Sequence, residues 1–160
     1  VTLLDTNVLS EFMRPQPAEA VTAWLNRLPT ERVWTNAISR AEIMLGLALM
    51  PVGKRQAALA LAAQAMFGED FAGRCLPFDE RAADHYAVIV AQRTRAGRPI
   101  SMEDAQVAAI ALANGLTLAT RNVSDFEGIN GLQIANPWLE LRNYGDSLLN
   151  SRRELSKLSP

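Results

Sequence analysis

Four carboxylates, Asp5, Glu42, Asp104 and Asp125, are each placed where a side chain can leave the body of a fold and enter a shared pocket. Oxygen donors with no histidine or cysteine among them are what a hard divalent cation such as Mg²⁺ or Mn²⁺ prefers. Clustered acids repel one another and raise some of their own pKa values, and a cation relieves that cost by supplying the missing positive charge. Asp5 closes the apolar run Val1-Thr2-Leu3-Leu4 and precedes the helix-forming stretch Thr6 to Glu11. Its carboxylate is therefore expected at the C-terminal end of a buried strand, where open α/β sheets bind ligands.

Each acid also has a purely structural reading. Ser39-Arg40-Ala41-Glu42 and Ser101-Met102-Glu103-Asp104 have the form of capping boxes, the second with aspartate at its last position. Asp125, in Asn122-Val123-Ser124-Asp125-Phe126, has the neighbours of a turn residue. The two readings can coincide, because a helix N-terminus attracts a carboxylate through its dipole.

The elements that would position these side chains alternate along the chain. Helical spacing of apolar residues runs from Pro17 to Leu28, Ser39 to Met50, Lys54 to Phe71, Asp79 to Ala96 and Ser101 to Asn114. Short strands are expected at Val33-Trp34-Thr35, Leu116 to Ala119 and Leu132-Gln133-Ile134. That alternation predicts an α/β fold, a parallel sheet covered by helices. No repeat or linker divides residues 1–140, which read as one domain, and a chain of 160 residues can bury a full core. Residues 141–160 form a polar tail with a thin leucine stripe, expected to be loosely docked or disordered and assigned no catalysis.

Charge and cysteine content narrow the setting. A net charge of −1 argues against a protein that coats nucleic acid by bulk electrostatics. Locally, five arginines (Arg74, Arg81, Arg93, Arg95, Arg98) face three acids between positions 74 and 98, close in sequence to the acidic stretch that follows. Such a pairing suits an enzyme that acts on a phosphate polymer, the arginines guiding the backbone; the other reading of Arg93, Arg95 and Arg98 is a solvated helix end that favours the helix dipole. The single cysteine, Cys75, and the lack of a basic-then-apolar leader point to a cytoplasmic location. The longest uncharged stretch, 105–120, falls short of the ~20 apolar residues of a membrane span, so no membrane partner is expected.

The blocks Leu3-Leu4-Asp5-Thr6-Asn7-Val8-Leu9-Ser10-Glu11, Ile38 to Gly46, Asp104 to Ala111 and Leu118 to Phe126 together resemble the ordered signature of PIN-domain ribonucleases. More closely, the chain is similar to the VapC and FitB group of bacterial toxin–antitoxin nucleases, with Asn136-Pro137-Trp138 resembling that group's C-terminal end. The resemblance covers about residues 2–140. It implies a PIN-like α/β/α sandwich around a small central parallel sheet, and a Mg²⁺- or Mn²⁺-dependent endoribonuclease that is commonly dimeric and is held inactive by a cognate antitoxin. Carried over by position, Asp5, Glu42 and Asp104 are the first metal-binding acids and Asp125 the fourth, while Asn7 and Thr120 match polar positions that hydrogen-bond these carboxylates.

On that reading RNA phosphodiesters are hydrolysed by cation-activated water to leave 5′-phosphates. A histidine-driven attack by the 2′-hydroxyl has little to stand on, because His85 is the only histidine and is expected at a helix surface or boundary. Trp24, Trp34, Trp138, Met44 and Met50 are expected as core or subunit contacts, and the apolar residues of Val8 to Met13 and Ala37 to Met50 as a homodimer interface. A haloacid-dehalogenase phosphatase needs a second aspartate two places after the first, where this chain has Asn7. A phospho-receiver needs a lysine after a late strand, and the chain has only Lys54 and Lys157. The remaining alternative is a catalytically silent PIN-fold module that binds nucleic acid or protein.

Overall fold

The structure, a computed structural model, describes residues 1–140; the tail at 141–160, and with it the expectation of loose docking or disorder, lies outside the described residues. Five short strands, β1 (Thr2–Leu4), β2 (Val33–Asn36), β3 (Cys75–Leu76), β4 (Thr117–Ala119) and β5 (Ile134–Ala135), form one sheet in the order β3-β2-β1-β4-β5. All neighbours pair in parallel. The chain runs outward from β1 through β2 to β3, then crosses back to the other side of β1 for β4 and β5. The strand order therefore reverses between β1 and β4, and the C-terminal ends of those two strands open on the crevice where ligands bind such sheets.

Alternation along the central strands sends side chains into two separate cores. Leu3 and Leu118 pack with Ala82 and Ile89 of α5 (Glu80–Arg95) and with the buried face of α6 (Met102–Ala113). Leu4 and Ala119 pack on the opposite face, against Val8 and Leu9 of α1 (Thr6–Phe12), Val21 and Trp24 of α2 (Glu19–Asn26), Ile43 and Leu47 of α3 (Ala37–Leu49), and Ala63 of α4 (Lys54–Ala65). A sheet with a core on each side is the expected α/β/α sandwich. Helix α6 is buried nearly all round, with alanines at 105, 108, 109, 111 and 113 at 3% exposure or less, which lets it lie close to its neighbours.

The structure corrects several boundaries. Helix α3 begins at Ala37 and not at Ser39, because Asn36 is its cap: Asn36 Oδ1 accepts from Ser39 N at 2.8 Å. Ser39 is thus inside the first turn and fully buried, and Glu42 is not the far end of a capping box. The expected helix 54–71 is α-helical only to Ala65 and widens into a π-helical turn over Met66–Asp70, which buries Met66 and Phe67. Three elements were not expected at all, the 3-10 turn Thr30–Arg32, the two-residue strand β3 and the four-residue helix α7 (Val123–Phe126). The last strand lies two residues later than expected, at Ile134–Ala135.

Candidate active site

Asp5 stands one residue past β1, at the point where the strand turns into α1, and serves as that helix's N-cap. Its Oδ1 accepts from Thr6 N at 2.8 Å, and its Oδ2 accepts from Asn7 Nδ2 at 2.9 Å and from Thr120 Oγ1 at 2.7 Å. The sheet register makes this possible. Leu4 pairs with Ala119, so one step further Asp5 N donates to Ala119 O at 3.0 Å and Thr120 falls beside Asp5. Asn7 ties the arrangement to the next loop, because its Nδ2 also donates to Thr120 Oγ1 at 3.1 Å and its Oδ1 accepts from Arg121 N at 3.0 Å. Thr120 Oγ1 in turn accepts from Asn122 N at 3.1 Å. Asp5 is only 5% exposed and Thr120 fully buried, so the carboxylate has one fixed orientation.

The other acids reach the crevice from helices. Glu42 projects from α3 on the exposed side of the site, and its Oε2 accepts a hydrogen bond from the Thr6 hydroxyl. Asp104 lies in the first turn of α6, whose cap is Ser101: Ser101 Oγ accepts from Asp104 N at 3.1 Å. Asp125 is exposed on α7, and its main-chain carbonyl, not its carboxylate, is held by Arg93 Nη2 at 2.6 Å.

Electrostatics link the acids in a chain. Burial holds the Asp5 carboxyl above the usual carboxylate range; the Thr120 hydroxyl and the Thr6 N–H pull it back, while the charges on Asp104 and Glu42 push it further up. Asp104 is also raised, first by burial and then by Asp125 and Glu103, with the Ser101 hydroxyl opposing. Asp5 thus feels Glu42 and Asp104, and Asp104 feels Asp125, which puts Asp125 at the edge of the group. Uncompensated repulsion between carboxylates is the condition that a bound cation relieves.

The donor set therefore suits a hard cation in chemistry and in placement, with Asp5, Glu42 and Asp104 as candidate ligands and Asp125 beyond them. The side chains are not drawn together into a coordination shell: among the described residues no three of the histidine, cysteine, aspartate and glutamate side chains are gathered to hold a metal ion. Glu42 is instead turned onto Thr6. Thr6 is the site residue that sequence patterns missed, and its only signal was a hydroxyl next to the first acid. Asn7 and Thr120, expected beside the acids, are bonded directly to Asp5.

The basic segment is corrected more sharply. Arg74 donates to the carbonyls of Thr30, Val33 and Asp70, and Arg81 to that of Ala113. Arg93, expected at a solvated helix end, is 8% exposed and holds the carbonyls of Asp125 and Glu127. These three cations brace the fold through main-chain carbonyls, and of them Arg93 is buried. His85 is exposed on α5, as expected. Trp24 is buried, its Nε1 donating to Glu140, and Trp34, Trp138 and Met50 are partly buried against the two cores. Met44 is not in either core but 48% exposed, which leaves the subunit-contact half of the expectation. Val8 and Leu9 are fully buried, so the expected interface cannot draw on them, whereas Leu45 and Leu49 of α3 are exposed.

Residues 2–131 match the PIN domain family. The chain is 42% identical to VapC ribonuclease Y4jK of Sinorhizobium fredii over 136 residues, which is 85% of this chain and 96% of the relative. It is 43% identical to toxin FitB of Neisseria gonorrhoeae over 136 residues, 85% of this chain and 97% of FitB. The crystal structure of FitAcB from Neisseria gonorrhoeae superposes with a TM-score of 0.79 at 43% identity, covering 86% of this chain and 99% of the other. That of DNA-bound VapBC from Salmonella typhimurium gives 0.71 at 28% identity, covering 85% and 97%. By match, identity and fold, this chain belongs to the PIN domain family, among relatives that include VapC ribonuclease Y4jK and toxin FitB.

Proposed function

We propose that this protein is a Mg²⁺- or Mn²⁺-dependent endoribonuclease, the toxin of a toxin–antitoxin pair. The observation that carries the reading is the Asp5 carboxylate, buried at the β1/β4 crevice, fixed by three donors and facing the charges of Glu42 and Asp104. Asp5, Glu42 and Asp104 would hold the cation, with Asp125 as the fourth acid at the edge of the group. When bound, the cation supplies an activated water and neutralises charge that builds on the scissile phosphate. Thr120 and Asn7 keep Asp5 aimed, and Thr6 fixes Glu42 through its hydroxyl. Support also comes from the relatives, one a VapC ribonuclease and another a tRNA(fMet)-specific endonuclease VapC of Salmonella typhimurium, 30% identical over 134 residues.

The partners follow from the same comparison, since the structures this fold resembles include FitAB bound to a DNA fragment and DNA-bound VapBC. The antitoxin is a protein that lays an arginine or lysine into the crevice, where it pairs with the carboxylates and excludes the cation. The protein itself forms a homodimer through the exposed apolar side of α3, at Met44, Leu45 and Leu49. The compartment is the cytoplasm, which agrees with the free thiol of Cys75; among the described residues no helix is long and apolar enough to cross a membrane.

Cleavage of RNA by antitoxin-free protein tests the function. RNA is cut in Mg²⁺ or Mn²⁺, cutting stops with chelator, and Asp104→Asn abolishes it while circular dichroism shows an intact fold. Cutting that survives chelator, or that persists in Asp104→Asn, contradicts the mechanism.

A further inference from the structure

Beside the acids lies a second feature that the carboxylates do not explain. A cavity of about 380 Å³ opens between the end of α5 and the start of α6, walled by Arg93, Arg98, Ser101 and Ser124 and bordered by Asp104 and Asp125. Arg93 and Arg98 also line an adjoining cavity of about 270 Å³ with Gln92 and Asn130, so the two arginines stand where the cavities meet. Of the five arginines between positions 74 and 98, Arg74, Arg81 and Arg93 are committed to main-chain carbonyls. Arg98 is not. It is exposed, with Nη1 close over the backbone of Gly128, 3.6 Å from where a Cβ there would lie.

The Arg98 side chain makes no hydrogen bond or ion pair among the described residues, although Asp104 and Asp125 line the same cavity. Arg93, more than nine-tenths buried with its Nη2 on two main-chain carbonyls and its Nε buried without a partner, adds fixed positive charge beneath the cavity. The first turn of α6, capped by Ser101, contributes the positive end of a helix dipole at the same wall. Arg98 thus brings an unpaired guanidinium into the same cavity as the Asp104 and Asp125 carboxylates, and the ligand group that a guanidinium recognises is an anion with several acceptor oxygens, such as a phosphate.

We propose that this cavity is a phosphate subsite for the RNA chain, in which Arg98 grips a backbone phosphate next to the one presented to the carboxylates. The subsite rests on the ribonuclease reading given above, because that reading supplies the polyanion. Arg98 is the contact residue; Arg93 fixes the cavity wall by holding the Asp125 and Glu127 carbonyls and adds its charge from beneath. A backbone contact of this kind sets the register of the RNA in the crevice and carries no base preference.

Binding, read separately from cutting, tests the subsite. Fluorescence anisotropy with a labelled single-stranded 12-nucleotide RNA, in chelator at low salt, compares the full-length wild type with Arg98→Ala, Arg98→Lys and Arg95→Ala, with Arg95 exposed on the outer turn of α5. Arg98→Ala is expected to weaken binding roughly tenfold and to lower the slope of log affinity against log salt by about 1. Arg98→Lys keeps the slope, and Arg95→Ala changes affinity much less. Unchanged affinity in Arg98→Ala, an equal loss in Arg95→Ala, or no binding by the wild type overturns the subsite. Cleavage of the same RNA in Mg²⁺ or Mn²⁺ is scored apart, so failure to cut counts against the nuclease and leaves the binding result standing.

Discussion

The centre and the rim of the acidic crevice are built in opposite ways. At the centre, Asp5 is nearly fully buried and its two oxygens accept from three donors supplied by Thr6, Asn7 and Thr120. At the rim, Glu42 and Asp125 are exposed, the first held by one hydroxyl and the second through its backbone alone. The difference teaches how a site can be both exact and adjustable. On the proposed function, the fixed carboxylate at the strand end would define the position of a cation, and the looser carboxylates on helices would adjust to it.

The largest effect is expected at the centre. Asp5→Asn removes the charge and keeps one oxygen, which in the place of Oδ2 still accepts from Asn7 and Thr120 while the acceptor for Thr6 N is lost. RNA cleavage should therefore fall about a thousandfold, equivalent to about 4 kcal/mol of transition-state stabilisation, with the fold preserved by circular dichroism. A variant that keeps a tenth of wild-type turnover would shift the centre of the site elsewhere. Thr120→Val comes next. It removes one donor from a buried carboxylate and should cost roughly 10- to 100-fold in cation affinity or activity. It should also cost about 1–3 kcal/mol of stability by urea titration, because Asp5 Oδ2 loses a partner. Full activity in this variant would mean that the hydroxyl orients nothing.

A smaller effect concerns pH and separates the acids by their environment. Asp104 has its folded-state pKa above the ordinary carboxylate value, so its ionised form costs stability above the folded pKa. The cost disappears as pH falls through the raised folded pKa to the unfolded value. In metal-free protein Asp104→Asn should therefore melt higher than wild type at neutral pH, and the gap should close on acidification through that window. Added Mg²⁺ or Mn²⁺ should also close it, by stabilising wild type and not the variant. A gap that widens on acidification would show that Asp104 gains more from Ser101 and the helix dipole than it loses to its acidic neighbours. The smallest effect is expected for Ser101→Ala, about 1 kcal/mol in denaturant midpoint from the lost cap.

The same contrast decides what could be read from sequence. Asp5 was legible, because an apolar run ending in aspartate marks a strand end, and the parallel register with β4 is what sets Thr120 beside it. The α6 start, with Ser101 capping Asp104, was legible from its local pattern, whereas Asn7 and Thr120 were placed beside Asp5 only by the resemblance to the PIN-domain signature. The rim was not legible. Asn36 took the cap that the serine three residues later seemed to claim, because its side chain also donates to the Leu4 carbonyl at 3.2 Å, a contact 32 residues away in sequence. Arg93 looked like a helix-end charge because its partners, Asp125 and Glu127, lie more than 30 residues downstream. Strand β3 and helix α7 are two and four residues long, too short to carry a period.

Titration calorimetry of Mn²⁺ into metal-free wild type, Asp5→Asn and Asp125→Asn tests most directly whether the buried carboxylate is the anchor and the exposed one an accessory. Heat of binding should vanish in Asp5→Asn, whereas Asp125→Asn should still bind with weaker affinity. Equal affinity for Mn²⁺ in wild type and Asp5→Asn, or loss in Asp125→Asn alone, would contradict the account.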